Sequence, residues 1–242
     1  MNKPLALRSP ARILRAPRPR PAGPARARAE LRRIRLEILL RLRDLTPSVR
    51  RSIDIIAALV GMILLSPLLA VVALGIKLTS RGPVLFRQPR IGKNGRPFVM
   101  LKLRTMAADA DARKAALTSD PGEGVRFKMR RDPRVTALGR VLRRYSVDEL
   151  PQLWNVLMGD MTIIGPRPPL AAEVARYDAF ALRRLEVTQG LTCLWQVSGR
   201  SDLPFEEQVR LDVEYIDRTT ARDELRILGR TIPAVLTGKG AY

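Results

Sequence analysis

Histidine is absent from the 242 residues, cysteine occurs once, and aromatic side chains make up only 5%. Without histidine there is no Ser-His-Asp triad, no Cys-His pair, no imidazole general base and no His-ligated zinc. The lone thiol, Cys193, excludes an internal disulfide and a Cys-x-x-Cys site. Any catalysis must draw on carboxylates, hydroxyls, Lys, Arg, backbone groups or a hard metal ion. Acids are scarce as well: 23 Asp and Glu face 44 Lys and Arg, a net charge of +21 and a pI near 11.5. Three classes of anionic partner suit that excess: nucleic acid, an anionic membrane surface, or a phosphorylated substrate. The shortage of aromatics counts against reading single-stranded nucleic acid by stacking.

Hydrophobic residues make up 46% of the chain, enough for a core, and the length suits one domain with appendages. Residues 1–51 hold 15 Lys or Arg against Glu30, Glu37 and Asp44. Between Arg15 and Arg28 the chain is little but Arg, Pro and Ala, too polar to order itself. From Ile34 to Leu45 leucines and isoleucines alternate with arginines at helical spacing, an amphipathic segment able to lie on an anionic membrane. A solvated arm or an Arg-rich presequence is the competing reading of the first 30 residues.

Ile55 to Ile76 is a run of 22 residues without a charge, long enough for a membrane segment and too long for a signal peptide. Basic residues crowd both flanks, and Lys77 to Arg104 contains no acid, so both sides resist translocation. Ser66-Pro67 sits at the centre of the run, where proline removes a donor and clashes with the preceding turn. Each half, about 16 Å long, is too short to cross a hydrocarbon core of about 30 Å. A helix-break-helix that enters and leaves by one face resolves the conflict, with Ser66 bonding a freed carbonyl. A kinked spanning helix is equally compatible with these features.

Beyond Leu78 turn signals separate short apolar runs. Gly82-Pro83 leads into Val84 to Phe86, and Gly95-Arg96-Pro97 into Phe98 to Leu101, which predicts two strands. Leu170–Val187, Pro204–Arg218 and Arg222–Leu236 read as helices, the last interrupted by Pro233. The expected fold class is α+β, mostly helical with a small β element.

Chemistry concentrates in Ser146-Val147-Asp148-Glu149-Leu150-Pro151-Gln152-Leu153-Trp154-Asn155. Ser146 and Glu149 have capping-box spacing; alternatively Pro151 opens the helix and Leu150 is extended. Either reading puts Asp148 and Glu149 at a helix N-terminus, where an acidic pair is most simply a cap. Its surroundings argue for more. Arg126 to Arg144 carries eight cationic residues opposed by Asp132 alone, and Gly165-Pro166-Arg167-Pro168 stiffens the backbone around one arginine. Guanidinium groups bind phosphoryl oxygens, one carboxylate can attack phosphorus, and its neighbour can hold Mg²⁺.

Several ordered segments together resemble the bacterial sugar transferases, monotopic polyprenyl-phosphate phosphoglycosyl transferases, in their short form. They are Arg51 to Asp54, Ser66-Pro67, Gly82 to Phe86, Lys102 to Met106, Asp132-Pro133-Arg134, Ser146 to Asn155 and Gly165 to Pro168. Trp195 to Arg200 and Gly238 to Tyr242 complete the series, and the resemblance covers residues 50–242. It implies a re-entrant helix at 50–77 broken at Ser66 and Pro67, and a catalytic domain at 78–242, while the basic tail and amphipathic segment at 1–49 lie outside it. The domain would sit on the cytoplasmic face of the bacterial inner membrane with interfacial amphipathic helices and anionic lipids around it.

The resemblance further implies ping-pong transfer of a sugar phosphate from a UDP-sugar to undecaprenyl phosphate, releasing UMP, with no nucleic acid involved. Asp148 would be the nucleophile, Glu149 would assist, and Glu149 with Asp148 would bind Mg²⁺. Lys102, Arg104, Arg143 and Arg167 would bind substrate phosphates. The chain departs from the pattern at Gln189 and Cys193, where the family has Pro and Gly, and carries Arg50 for the usual Lys. A non-catalytic, membrane-anchored basic protein that holds anionic lipid or nucleic acid is the alternative function.

Overall fold

Pro47, whose ring fixes φ and whose missing N–H is no loss at a helix start, opens helix α1, Pro47–Thr79. The computed structural model describes residues 47–107, 109–110, 132–238 and 240. The tail, the amphipathic segment at 34–45, and Arg126, Lys128, Arg130 and Arg131 lie outside the described residues.

Helix α1 continues through Pro67 without a change of secondary structure, so the expected break at Ser66-Pro67 is not a break in helical assignment. One reason is local. Proline cannot donate to the Ile63 carbonyl, and the Ser66 hydroxyl donates to that same oxygen at 2.8 Å, replacing the lost bond. Ile63, Leu64, Val71 and Leu74 are exposed, and almost none of the apolar stretch is buried against protein. Both ends of α1 are nevertheless tied down. Near the start, Arg51 donates to the carbonyls of Val156 and Leu157, and the Asp54 carboxylate accepts from the Thr162 hydroxyl and the Ile163 N–H. Near the end, Ile76 is buried with Leu103 and Leu142.

The hairpin β1 (Leu85–Ile91) and β2 (Pro97–Leu103) is antiparallel, Leu85 facing Leu103 and Ile91 facing Pro97. Both strands run longer than the sequence pattern predicts. Asn94 and Gly95 supply the two left-handed residues of the connecting turn, at φ 56° and 77°. After the undescribed stretch come α2 (Ala137–Arg144), a 3₁₀ turn at Val147–Glu149, and α3 (Gln152–Met158). Thr136 caps α2 by accepting from the Gly139 N–H, while Thr136 N–H donates to the Thr105 carbonyl just past β2.

Asn155 joins α3 to the free edge of β2. Its amide donates to the Val99 carbonyl at 2.7 Å, and its oxygen accepts from the Leu101 N–H at 3.0 Å. The first core, Ala58, Met100, Val156 and Met161, therefore unites α1, β2 and α3.

A second, parallel pair joins β3 (Thr162–Ile164) to β4 (Gly190–Thr192). At its end Gly190 lies so close to the Gly165 backbone that a Cβ there would collide with it. Gly165 N–H donates to Thr192 O and Gly190 N–H to Pro166 O, at 3.0 and 2.8 Å. Of the predicted helices, Pro204–Arg218 matches α6 (Phe205–Arg218), and α7 (Ala221–Thr237) runs through Pro233 uninterrupted. The predicted helix Leu170–Val187 is three short pieces instead: α4 (Ala171–Val174), α5 (Ala179–Leu182) and a 3₁₀ turn at Arg183–Leu185. Asp178 breaks it, because its side chain accepts from Ala181 N–H and restarts the helix there. These pieces pack on α6 through Ala181, Val209 and Val213, and through the fully buried Arg184–Asp212 ion pair at 2.7 Å.

Candidate active site

Strand β2 ends in Lys102 and Leu103, Arg104 and Thr105 follow it, and two neighbours fix where those side chains meet the acidic pair. Asn155 holds α3, and with it the Val147–Glu149 turn, against β2. Thr136 holds α2 against Thr105. The capping box is not formed. Ser146 adopts a left-handed conformation, φ 53°, with no side-chain cap, and Leu150 is helical rather than extended. This sharp turn at Ser146 directs Glu149 away from its own backbone and toward the cations.

Glu149 Oε1 accepts from Lys102 Nζ at 2.8 Å and from Arg167 NH1 at 3.2 Å. Arg167 reaches it from a rigid support, since the flanking carbonyls are all bonded: Pro166 to Gly190 N–H, Pro168 to Arg90, and Pro169 to Ile91 N–H. Pro166, Pro168 and Pro169 are themselves fully buried. Burial alone would raise the Glu149 carboxyl, but Lys102 and Arg167 outweigh it and hold it well below the usual carboxylate range. Lys102 is pushed below its ordinary value by burial, with Glu149 opposing.

Asp148 differs from its neighbour. It is buried, and no side-chain hydrogen bond reaches it from the described residues. Burial raises its carboxyl, Lys102 opposes that shift, and the Glu149 charge adds to it. Adjacent carboxylates thus carry opposite environments: one clamped by two cations, the other desolvated and unclaimed.

The remaining expected residues lie on the same cavity, about 830 Å³ in volume. Arg143, in the last turn of α2, donates from Nε to the Thr105 hydroxyl at 3.0 Å. Burial lowers its guanidinium from the ordinary value, with Asp148 opposing. Arg104 lines the cavity too, but its NH2 donates to the carbonyl and hydroxyl of Ser80 at 2.8 Å, behind the end of α1. Among the lining residues seven cationic side chains face four acidic ones, so the walls keep a positive excess for anionic ligands.

The departures Gln189 and Cys193 are both buried beside β4. Gln189 donates to the carbonyls of Arg184 and Val187, and the Cys193 thiol to Gln196 Oε1 at 3.0 Å. Burial pushes the thiol well above its ordinary value, so it is inert. Residue-level reasoning about the sequence passed over Arg200, which lines the cavity from the 3₁₀ turn Arg200–Asp202. Its signal was the Gly199-Arg200 pair inside the segment beginning at Trp195.

Among the described residues no group of three Asp, Glu or Cys side chains is placed to hold a metal. The adjacent pair fits Mg²⁺ in the other common way, one or two carboxylates completed by substrate phosphates. Glu149 commits only Oε1 to its cations.

Comparison with known proteins identifies the family. The family model described as bacterial sugar transferase matches residues 45–238. The exopolysaccharide production protein ExoY of Rhizobium meliloti is 40% identical over 80% of this chain and 88% of its own length. The UDP-glucose:undecaprenyl-phosphate glucose-1-phosphate transferase of Caulobacter vibrioides is 41% identical over 80% of this chain and 72% of its own. The galactosyl transferase CpsE of Streptococcus agalactiae is 40% identical over 79% of this chain, which spans less than half of that relative, 43%.

Proposed function

The chain belongs to the bacterial sugar transferase family, and from that premise we propose that it moves a sugar 1-phosphate from a UDP-sugar to undecaprenyl phosphate. The observation that carries this reading is the division of labour within the acidic pair. Glu149 is engaged by Lys102 and Arg167, while Asp148 stands unbonded in a cationic cavity.

In the first half-reaction an Asp148 carboxylate oxygen attacks the sugar-linked phosphorus of the donor. The bond from that phosphorus to the bridging oxygen breaks, and UMP leaves with the bond's electron pair. The sugar phosphate is then held as an acyl phosphate on Asp148. In the second, a phosphate oxygen of undecaprenyl phosphate attacks the same phosphorus and the Asp148 carboxylate departs, giving the lipid diphosphate sugar. One site serves both phosphate substrates in turn, and desolvation of Asp148 raises its nucleophilicity. Lys102, Arg143 and Arg167 offset charge on the phosphoryl oxygens, and Arg104 steadies the wall behind them. Bound Mg²⁺, held by Glu149 with Asp148 and the donor phosphates, would supply further charge neutralisation.

Several features support a monotopic placement on the cytoplasmic face of the inner membrane. Both ends of α1 bind the same domain, whereas a spanning helix would leave one end across about 30 Å of hydrocarbon. Helix α7 exposes Leu225, Ile232 and Leu236 along one face, as an interfacial helix does. The positive excess draws in anionic lipids and both phosphate substrates.

The test is nucleotide release from a panel of UDP-sugars with Mg²⁺, run with and without undecaprenyl phosphate. The wild-type protein releases UMP from at least one donor and, given radiolabelled donor, carries label on Asp148. Asp148→Asn loses UMP release by a thousandfold or more while staying in the membrane fraction. Turnover by that variant near the wild-type rate would remove Asp148 from its role. Salt-sensitive binding of any polyanion, without UMP release, would favour the non-catalytic alternative.

A further inference from the structure

Most cations of the cavity are already engaged. Lys102 and Arg167 are bonded to Glu149, Arg143 to Thr105, and Arg104 to Ser80. Arg200 is not. Its NH1 is buried without a hydrogen-bond partner, and its NH2 makes only a long contact, 3.5 Å, to the Ser146 hydroxyl. A buried guanidinium nitrogen without an acceptor is unfavourable unless a ligand supplies one.

The backbone adds an independent observation. Arg200 sits at φ 54°, left-handed, a conformation that glycine adopts freely and arginine does not. The turn is held there from outside: Ser201 N–H donates to the Gly240 carbonyl, and Gly240 packs so tightly on Arg200 that a Cβ would come within 3.0 Å of its side chain. Strain of this kind persists where the surrounding structure imposes it and is common at ligand sites. A left-handed position occupied by arginine rather than glycine retains the side chain at a cost in backbone energy.

Position in the cavity narrows the ligand. Arg200 lines the cavity beside the turn that carries the acidic pair, its NH2 being 3.5 Å from the Ser146 hydroxyl. On the reading given above, which this inference assumes, the donor's diphosphate lies against that pair. We infer that Arg200 binds the diphosphate of the nucleotide donor, its strained turn being clamped by Gly240.

The experiment compares binding of UMP and of uridine to the full chain in detergent, for wild type, Arg200→Gly and Arg200→Lys. Wild type binds UMP at least tenfold more tightly than uridine. Arg200→Gly weakens UMP by about tenfold to a hundredfold, the range of one charge-assisted hydrogen bond or a pair, and leaves uridine unchanged. Arg200→Lys keeps the charge without the fork and falls between the two. Because glycine suits the left-handed turn, Arg200→Gly melts no lower than wild type, which a merely structural arginine would not allow. UMP affinity within twofold of wild type in Arg200→Gly, or a parallel loss of uridine, overturns the inference. A wild-type protein indifferent to the phosphate of UMP overturns the donor assignment as well, which separates the two failures.

Discussion

Two neighbouring carboxylates with opposite surroundings should respond oppositely to neutralisation. Asp148 has its carboxyl raised by burial, so the ionised form is a burden on the fold above that raised pKa and no burden below the ordinary carboxylate range, where folded and unfolded chains are both protonated. Asp148→Asn should therefore raise the melting temperature at neutral pH, with the gain shrinking as pH falls toward the carboxylate range. Glu149 has its carboxyl depressed by Lys102 and Arg167, so its contribution is present above the ordinary range and is lost only on strong acidification. Glu149→Gln leaves two buried cations without their anion and should cost about 3 kcal/mol at neutral pH. Melting curves of both variants from pH 8 down to about 4, where an ordinary Asp or Glu takes up its proton, check the pair: the gain in Asp148→Asn shrinks across that range while the loss in Glu149→Gln persists. Equal signs would mean that the two carboxyl groups share one environment. The expected stability of Asp148→Asn also separates loss of the proposed nucleophile from loss of the fold.

Among the elements, the join of α3 to β2 places the acidic pair against Lys102, and Asn155 makes that join. Asn155→Ala strands the Val99 carbonyl and the Leu101 N–H, at about 2–3 kcal/mol, or a melting temperature lower by roughly 5–10 °C. UMP release should fall with it, because Lys102 and Glu149 are no longer held in register; a normal rate in a destabilised protein would refute that coupling. The hairpin and the helix from Phe205 were legible from Gly-Pro punctuation and periodicity, because each is fixed by local chemistry. So was the Ser66 bond to the carbonyl that Pro67 leaves free. The three-residue strands at Thr162 and Gly190 were not, since they exist through the close crossing of Gly165 and Gly190, which no local pattern encodes. Leu170 to Val187 has helical periodicity throughout, yet Asp178 captures Ala181 N–H and the chain restarts. The same limit applies to the site. Residue types and spacing picked out Asp148, Glu149 and Arg167, and the family resemblance added Lys102, but the left-handed turns at Ser146 and Arg200 that aim the side chains come from tertiary packing.

The scale of the whole molecule is set by α1, which is apolar and almost unburied along its middle yet anchored at both ends to one basic domain. Arg51 and Asp54 hold its beginning to α3 and β3, and Gly61 leaves room for Leu153, which a Cβ there would meet at 3.1 Å. At its far end Gly75 leaves room for Leu138 of α2, which a Cβ there would meet at 3.3 Å, and Ile76 is buried. Pulling either end through the bilayer would break these bonds and carry a dense set of Lys and Arg across hydrocarbon, at a cost of about 2.5–3.5 kcal/mol for each charge. Residues at both ends of α1 should therefore share one side of the membrane with the cavity. Cysteines introduced singly as Val49→Cys and Arg81→Cys, both at exposed positions, test this with a thiol reagent that cannot cross membranes. The native Cys193 is buried and its thiol is held protonated, so it stays silent in intact protein. In inside-out vesicles both variants should label, and in right-side-out vesicles neither. Labelling of the two from opposite sides would make α1 a spanning helix, detach one of its anchored ends from the domain, and remove the geometry proposed to keep the Asp148 carboxyl level with a lipid phosphate.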